Sequence, residues 1–301
     1  MDKQENLIIL DKPKLRNPHM ICGIGGWVDG GEAATGSVKY LIRKLDAKKF
    51  AEIPINKFHI FQLPGQNSLR PHVKLENGIL KEHNFPQNQF FYWINPNADN
   101  DLVLFLGTEP NLYWEEYINT IFKLADEFSI NRTYILGGVL DKTPHTREPG
   151  ASCACSTEEL KHEMQNYSLQ FSNYEGPGSF STTFLHMCQN KNRKLISITA
   201  RATYYPEYNI VIPHNPKTIR TVIRRLNHLL HMNLNISDLD EQVKEFESKL
   251  NFMVSQNAQF RTYIEELEKD FIEVKYEEPL EISAAEAVQI AEEFLKGKGE
   301  D

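Results

Sequence analysis

Cysteine is scarce in this sequence. Four in 301 residues, two of them one residue apart at Cys153 and Cys155, do not make a disulfide framework, and reduced thiols are expected. Long apolar runs are missing too: none approaches the roughly 20 residues needed to cross a bilayer. The first residues, Met1 to Lys14, lack the basic start and apolar stretch of a signal peptide, so the protein is expected to stay in the cytoplasm. Positive charge is in deficit. Against 41 Asp and Glu stand 33 Lys and Arg, a formal charge of −8 that repels nucleic acid and anionic lipid.

What remains is a globular composition, 41% hydrophobic and 25% charged, long enough for one large domain or a domain with an appendage. His19 to Gly25 (HMICGIG) is short, apolar and followed by glycines, as a buried strand ending in a turn would be. From Gly31 to Leu45 the residues Ala34, Val38, Leu41, Ile42 and Leu45 recur at helical spacing. Short β-rich stretches follow at 50–60, 72–75, 79–83 and 89–94, with Asn77-Gly78 predicting a type I′ hairpin turn. Asp101 to Leu106 reads as a strand covered on both faces, Trp114 to Phe128 as a helix and Arg132 to Val139 as the next buried strand. That β-α-β order predicts a sheet that is at least partly parallel.

After a loop from Leu140 to Ser152, helices are predicted around 157–167 and 179–189, a strand at 194–200, and a helix with Ile219, Val222, Ile223, Leu226, Leu229 and Leu230 on one face. The alternation predicts an α/β/α sandwich over residues 1–234. Beyond about Leu234 the strands stop, and 235–301 reads as a helical extension. There Leu239, Val243, Phe246, Leu250, Met253, Asn257, Phe260, Ile264, Leu267 and Phe271 step by four and three, a heptad seam interrupted by one polar residue. Asn257 is taken as the bend of a helical hairpin, whose seam is covered by its own domain or by another chain. Ser283 to Glu286 is a capping-box start for a last amphipathic helix to Leu295.

The chemistry-bearing candidates gather at predicted strand ends. The cluster Gly23-Ile24-Gly25-Gly26-Trp27-Val28-Asp29-Gly30-Gly31 lies between strand and helix, where backbone N–H groups can hold an anion or simply permit close packing. Neither nucleotide fingerprint is met: Gly31 and Gly36 have P-loop spacing, but Ser37 stands where lysine belongs, and Val28 breaks the dinucleotide pattern. Gly137 and Gly138 end another strand, followed by Asp141, His145 and Arg147. An acid, a histidine and an arginine on one crevice would suit acid–base work or phosphate binding. No nucleophile beside a base accompanies them, and no Gly-x-Ser-x-Gly elbow is present. Cys153 and Cys155 with His145 and His162 do not have zinc-site spacing, so no metal is expected. Ser179 and Ser181 need only be helix caps.

Taken in order, Gly26-Trp27-Val28-Asp29-Gly30-Gly31 with Ala34 and Gly36, Leu136-Gly137-Gly138-Val139 with Pro144 to Arg147, Gly178-Ser179-Phe180, and Ala200-Arg201-Ala202-Thr203-Tyr204-Tyr205-Pro206 followed by Asn215-Pro216 resemble the proteasome-assembly-chaperone family. The likeness runs along about 200 residues, and Asn257 to Phe271 resembles the helical tail of longer bacterial members. The resemblance implies a three-layer α/β/α sandwich with a mixed sheet, related to the phosphorylase/hydrolase-like fold, plus a C-terminal helical extension. It implies a non-enzymatic protein-binding role and self-association as a homo-oligomer such as a trimer, with Gly25, Gly26, Trp27, Asp29, Gly30, Gly137, Gly138, His145, Arg147 and Arg201 as candidate ligand- or partner-binding residues. The alternative is a small-molecule enzyme working at the Asp29, His145 and Arg147 edge. Archaeal members dock through a tail ending hydrophobic-Tyr-any, a pattern from which Lys298-Gly299-Glu300-Asp301 departs. Some relatives are grouped with ATP-grasp proteins, but neither a phosphate-cradling lysine nor paired metal-binding carboxylates are evident, so no cofactor is expected.

Overall fold

The computed structural model describes residues 6–62, 70–208, 210, 212–272 and 276. In chain order the strands and helices are β1 (Ile8–Ile9), β2 (His19–Gly25), α1 (Ala33–Lys44), β3 (Lys48–Ile53), β4 (His72–Glu76), β5 (Ile79–Asn84), β6 (Asn88–Trp93), β7 (Leu102–Thr108), α2 (Trp114–Glu127), β8 (Arg132–Asp141) and β9 (Ala151–Cys155). They continue with α3 (Glu158–Met164), β10 (Gln170–Phe171), α4 (Phe180–Asn190), β11 (Lys194–Thr203), α5 (Pro216–Leu229), α6 (Ser237–Ser255) and α7 (Ala258–Asp270).

Nine strands form one mixed sheet in the order β1-β3-β6-β7-β2-β8-β11-β9-β10. Its centre is parallel: β7 and β8 flank β2, and β11 follows β8. The outer pairs β1–β3, β3–β6, β6–β7 and β9–β11 are antiparallel. Side chains alternate between two apolar clusters, as the period of two in a strand requires. Ile21, Leu104, Tyr134 and Ile196 face one cluster with α1, α3, α5 and α6. Cys22, Val103, Ile135 and Leu195 face the other with α2 and α4. The continuous apolar runs of the central strands therefore follow from helices on both faces.

Several boundaries differ from expectation. Residues 50–60, read as β-rich, hold the end of β3 and then a 3-10 turn at Ile55–Lys57 beyond Pro54. The helix expected from Gly31 starts as a 3-10 turn at Gly30–Glu32, because Gly31 has φ +65°. The expected loop 140–152 is shorter: β8 runs to Asp141, and Ala151–Cys155 is a strand. Its small side chains carry little β signal, but they pair with the free edge of β11. All four cysteines are unbridged, with Cys22, Cys153 and Cys188 buried.

The heptad seam does break at Asn257, whose side chain caps α7 by accepting from the Phe260 N–H. Leu239, Val243, Leu250, Phe260 and Ile264 are buried, whereas Met253 is exposed. The buried part of the seam is covered from within the chain: Leu239 joins the core beside α5, and Phe260 and Ile264 pack with Tyr205. The expected last helix, 283–295, lies outside the described residues.

Candidate functional site

The carboxyl ends of β7, β2 and β8 lie side by side and carry the glycine cluster, Asp29 and the loop with His145 and Arg147. Asp29 bridges to Gly138, and the Gly138 N–H donates to Val28 O at 3.1 Å. A Cβ on Gly138 would fall 2.2 Å from the Gly30 carbonyl oxygen, so two backbones touch where the strand passes the start of α1. Gly25, Gly26 and Gly137 are likewise crowded, by Thr35, Glu109 and Thr199. The cluster therefore packs strand against helix.

Asp29 is spent on α1. Its Oδ1 accepts from the N–H groups of Ala34 (2.8 Å) and Thr35 (3.1 Å), and its Oδ2 accepts from Thr35 Oγ1 at 2.6 Å. A carboxylate satisfying the free amides at a helix start is a cap, favoured also by the helix dipole. Burial raises its pKa, against the opposing pull of these hydrogen bonds.

His145 is wholly buried. Its backbone N–H donates to Tyr205 Oη at 2.7 Å, its Nδ1 lies 2.8 Å from the same oxygen, and its Nε2 lies 3.0 Å from Asn251 Oδ1 on α6. Burial lowers its pKa. The neutral ring with hydrogen on Nε2 satisfies every partner, with Tyr205 Oη donating to Nδ1. Beside it the buried Lys217 donates to the His145 carbonyl at 2.7 Å and pairs with Glu247 at 2.5 Å. Arg147 lies 3.8 Å from Glu268 on α7, which also accepts from Thr146. Arg201 pairs with Asp141 at 2.9 Å.

The predicted residues are thus neighbours in the fold but do not converge. Asp29 serves α1, His145 and Arg147 fasten their loop under α6 and α7, and Arg201 ties β11 to β8. Sequence reasoning missed Lys217, Glu247, Asn251 and Glu109; the Trp27 N–H donates to Glu109 Oε2 at 2.7 Å. Lys217 sits on the first turn of α5 after Asn215-Pro216, a legible helix start, but a lysine there reads as solvent-facing. Among the described residues no group of three or more His, Cys, Asp or Glu could hold a metal ion, and no helix is long and apolar enough to cross a membrane. One concavity, of about 250 Å³, lies elsewhere, around Arg193, and another, of about 480 Å³, adjoins the rim beside Tyr113 and Trp114. Large apolar side chains stand exposed on the rim, Trp27 at 63%, Tyr113 61%, Leu140 47% and Val139 42%, beside the ion-paired and partly exposed Lys142, Arg147 and Arg201.

The sequence profile of the PAC2 family matches residues 23–254, from within β2 to near the end of α6. This chain belongs to the PAC2 family. A PAC2 family protein from Streptomyces avermitilis is 26% identical, with a TM-score of 0.69 over 81% of this chain and 99% of the other. The proteasome-assembly chaperone homologue of Mycobacterium tuberculosis is 25% identical, with a TM-score of 0.71 over 82% and 99%. The archaeal proteasome activator PbaB of Pyrococcus furiosus, 20% identical, shares the fold with a TM-score of 0.59 over 82% and 97%. No curated protein matches the sequence. The family contains proteasome-assembly chaperone homologues, and the glycine-rich rim lies inside the matched span.

Proposed function

We propose that this PAC2 member works in the cytoplasm by binding polypeptides, as a self-associating, assembly-chaperone-like protein. Its working surface is the apolar rim at the carboxyl ends of β7, β2 and β8. The observation that carries this reading is the division of labour at that rim: polar side chains are engaged inside the chain while Trp27, Tyr113 and Leu140 stay in water. Large apolar side chains gathered at one edge mark protein contacts, and Trp and Tyr are the residues that most often anchor them. The name of the mycobacterial relative supports a partner among proteasome subunits or their assembly intermediates. On this reading the α/β core, residues 1–234, is a variant of the phosphorylase/hydrolase-like sandwich that has kept the scaffold without a converged polar pocket. In the helical extension that follows, α6 and α7 brace the loop carrying His145 and Arg147.

Light scattering across a concentration series tests self-association, with a mass above 34.8 kDa expected. A thermal-shift screen against nucleotides, phosphosugars and divalent ions is expected to give no stabilisation. A reproducible shift abolished by Arg147→Ala would favour a small-molecule enzyme instead.

A further inference from the structure

Four cysteines are spread along the chain, and the fold brings two of them together. Cys153 and Cys155 alternate with Ala154 along β9, so both side chains leave the same face of the strand. The register agrees: they stand opposite Ile198 and Ile196 of β11, and both pack into the apolar cluster that holds α3 and α5. Their sulfurs are near enough for the Cys153 thiol to hydrogen-bond Cys155. Two residues of extended strand advance about 6.6 Å, within the Cα span that a disulfide bridges.

The two thiols differ in access and in charge. Cys153 is 2% exposed, whereas Cys155 is partly exposed and lies in the field of the ion-paired Arg132 and Glu163. The hydrogen bond from Cys153, with the charge of Arg132, lowers the Cys155 pKa against the opposing pull of burial, Glu163 and Glu158. The same hydrogen bond, with burial, raises that of Cys153. Cys155 is thus the thiol fitted to attack, and Cys153, in contact behind it, the one fitted to resolve. Cys22 and Cys188 are buried in the other cluster, where burial raises both. They serve as internal controls.

We propose that Cys153 and Cys155 form a dithiol site that exchanges with small disulfides of the glutathione class. The Cys155 thiolate attacks one sulfur of the oxidised reagent, forming a mixed disulfide and releasing the first glutathione thiolate. Cys153 then gives up its proton and attacks Cys155 Sγ, which expels the second glutathione thiolate and closes the bridge within β9. The two thiol protons end on the two released glutathiones, so the protein is oxidised by two electrons and one glutathione disulfide is reduced. Incubating the native protein with glutathione disulfide, then measuring intact mass and mapping peptides, tests this. The wild type should lose two hydrogen atoms at residues 153–155, with Cys22 and Cys188 still free. Cys153→Ser should stop with one glutathione held on Cys155, and Cys155→Ser should react about ten-fold more slowly or less. Thermal unfolding before treatment checks that each variant is folded, and the wild-type map decides the matter where one is not. A native wild type that does not react, that reacts at Cys22 or Cys188 as fast as at Cys155, or that keeps glutathione on Cys155 without bridging would overturn the proposal.

Discussion

Two cross-strand apolar pairs in this protein have the same local form and opposite fates. Phe90 and Phe105 face each other across β6 and β7, fully buried, with rings stacked 4.2 Å apart. Leu75 and Leu80 face each other across β4 and β5, both more than half exposed. Alternation and turn chemistry are enough to make a strand in either place. What separates them is cover: α2 and α4 close over the first pair, and nothing among the described residues closes over the second. Burial is therefore a property of neighbours, and apolar alternation in a strand does not by itself secure it.

The largest test of that contrast is Phe105→Ala. Losing a buried ring that touches Phe90 and Tyr117 should cost about 3–5 kcal/mol, read by urea unfolding. Gly138→Ala comes next, because the added carbon meets backbone and cannot be relieved by a side-chain rotation; a loss of about 1–3 kcal/mol is expected. Asp29→Ala removes three hydrogen bonds at the start of α1 and should cost about 1–2 kcal/mol. A catalytic or ligand role alone would leave stability untouched, so this variant separates a cap from an active carboxylate.

A smaller effect is pH-dependent. Burial, helped by Arg132, lowers His19 to about 4 from an ordinary 6.5. Between those values the unfolded chain binds a proton that the folded chain refuses, so stability should fall as pH drops from about 6.5 toward 4. His19→Gln should flatten that part of the stability profile. Leu80→Ser, at the far end of the scale, should change unfolding by less than about 0.5 kcal/mol. A larger loss would mean that the hairpin is covered by its own chain, and the contrast with Phe105 would fail.

Much of this architecture was legible because local and tertiary demands agree. The run ending at Gly25, the helix cap at Ser179 and the bend at Asn257 each combine a periodic apolar face with a residue suited to stop or start it. The strand Ala151–Cys155 was hidden because its small residues become a strand only when β11 offers an edge. At the rim, sequence could place Asp29, Gly138, His145 and Arg147 near one another, since strand ends and loops set position. It could not say where their polar atoms point. That is decided by α5, α6 and α7, which deliver Lys217, Asn251 and Glu268 from as much as 122 residues away in the chain. A buried lysine at the start of an otherwise charged helix leaves no mark in composition.

The central claim is that the strand-end rim spends its polar groups on the fold and offers its apolar ones to other proteins. Quantitative capture from an extract of the source cell, comparing the wild-type protein with a Trp27→Ser, Leu140→Glu variant of equal thermal stability, tests it most directly. The account predicts a defined set of polypeptides, including proteasome subunits, that the wild type retains and the variant loses. Identical capture by both proteins would contradict it.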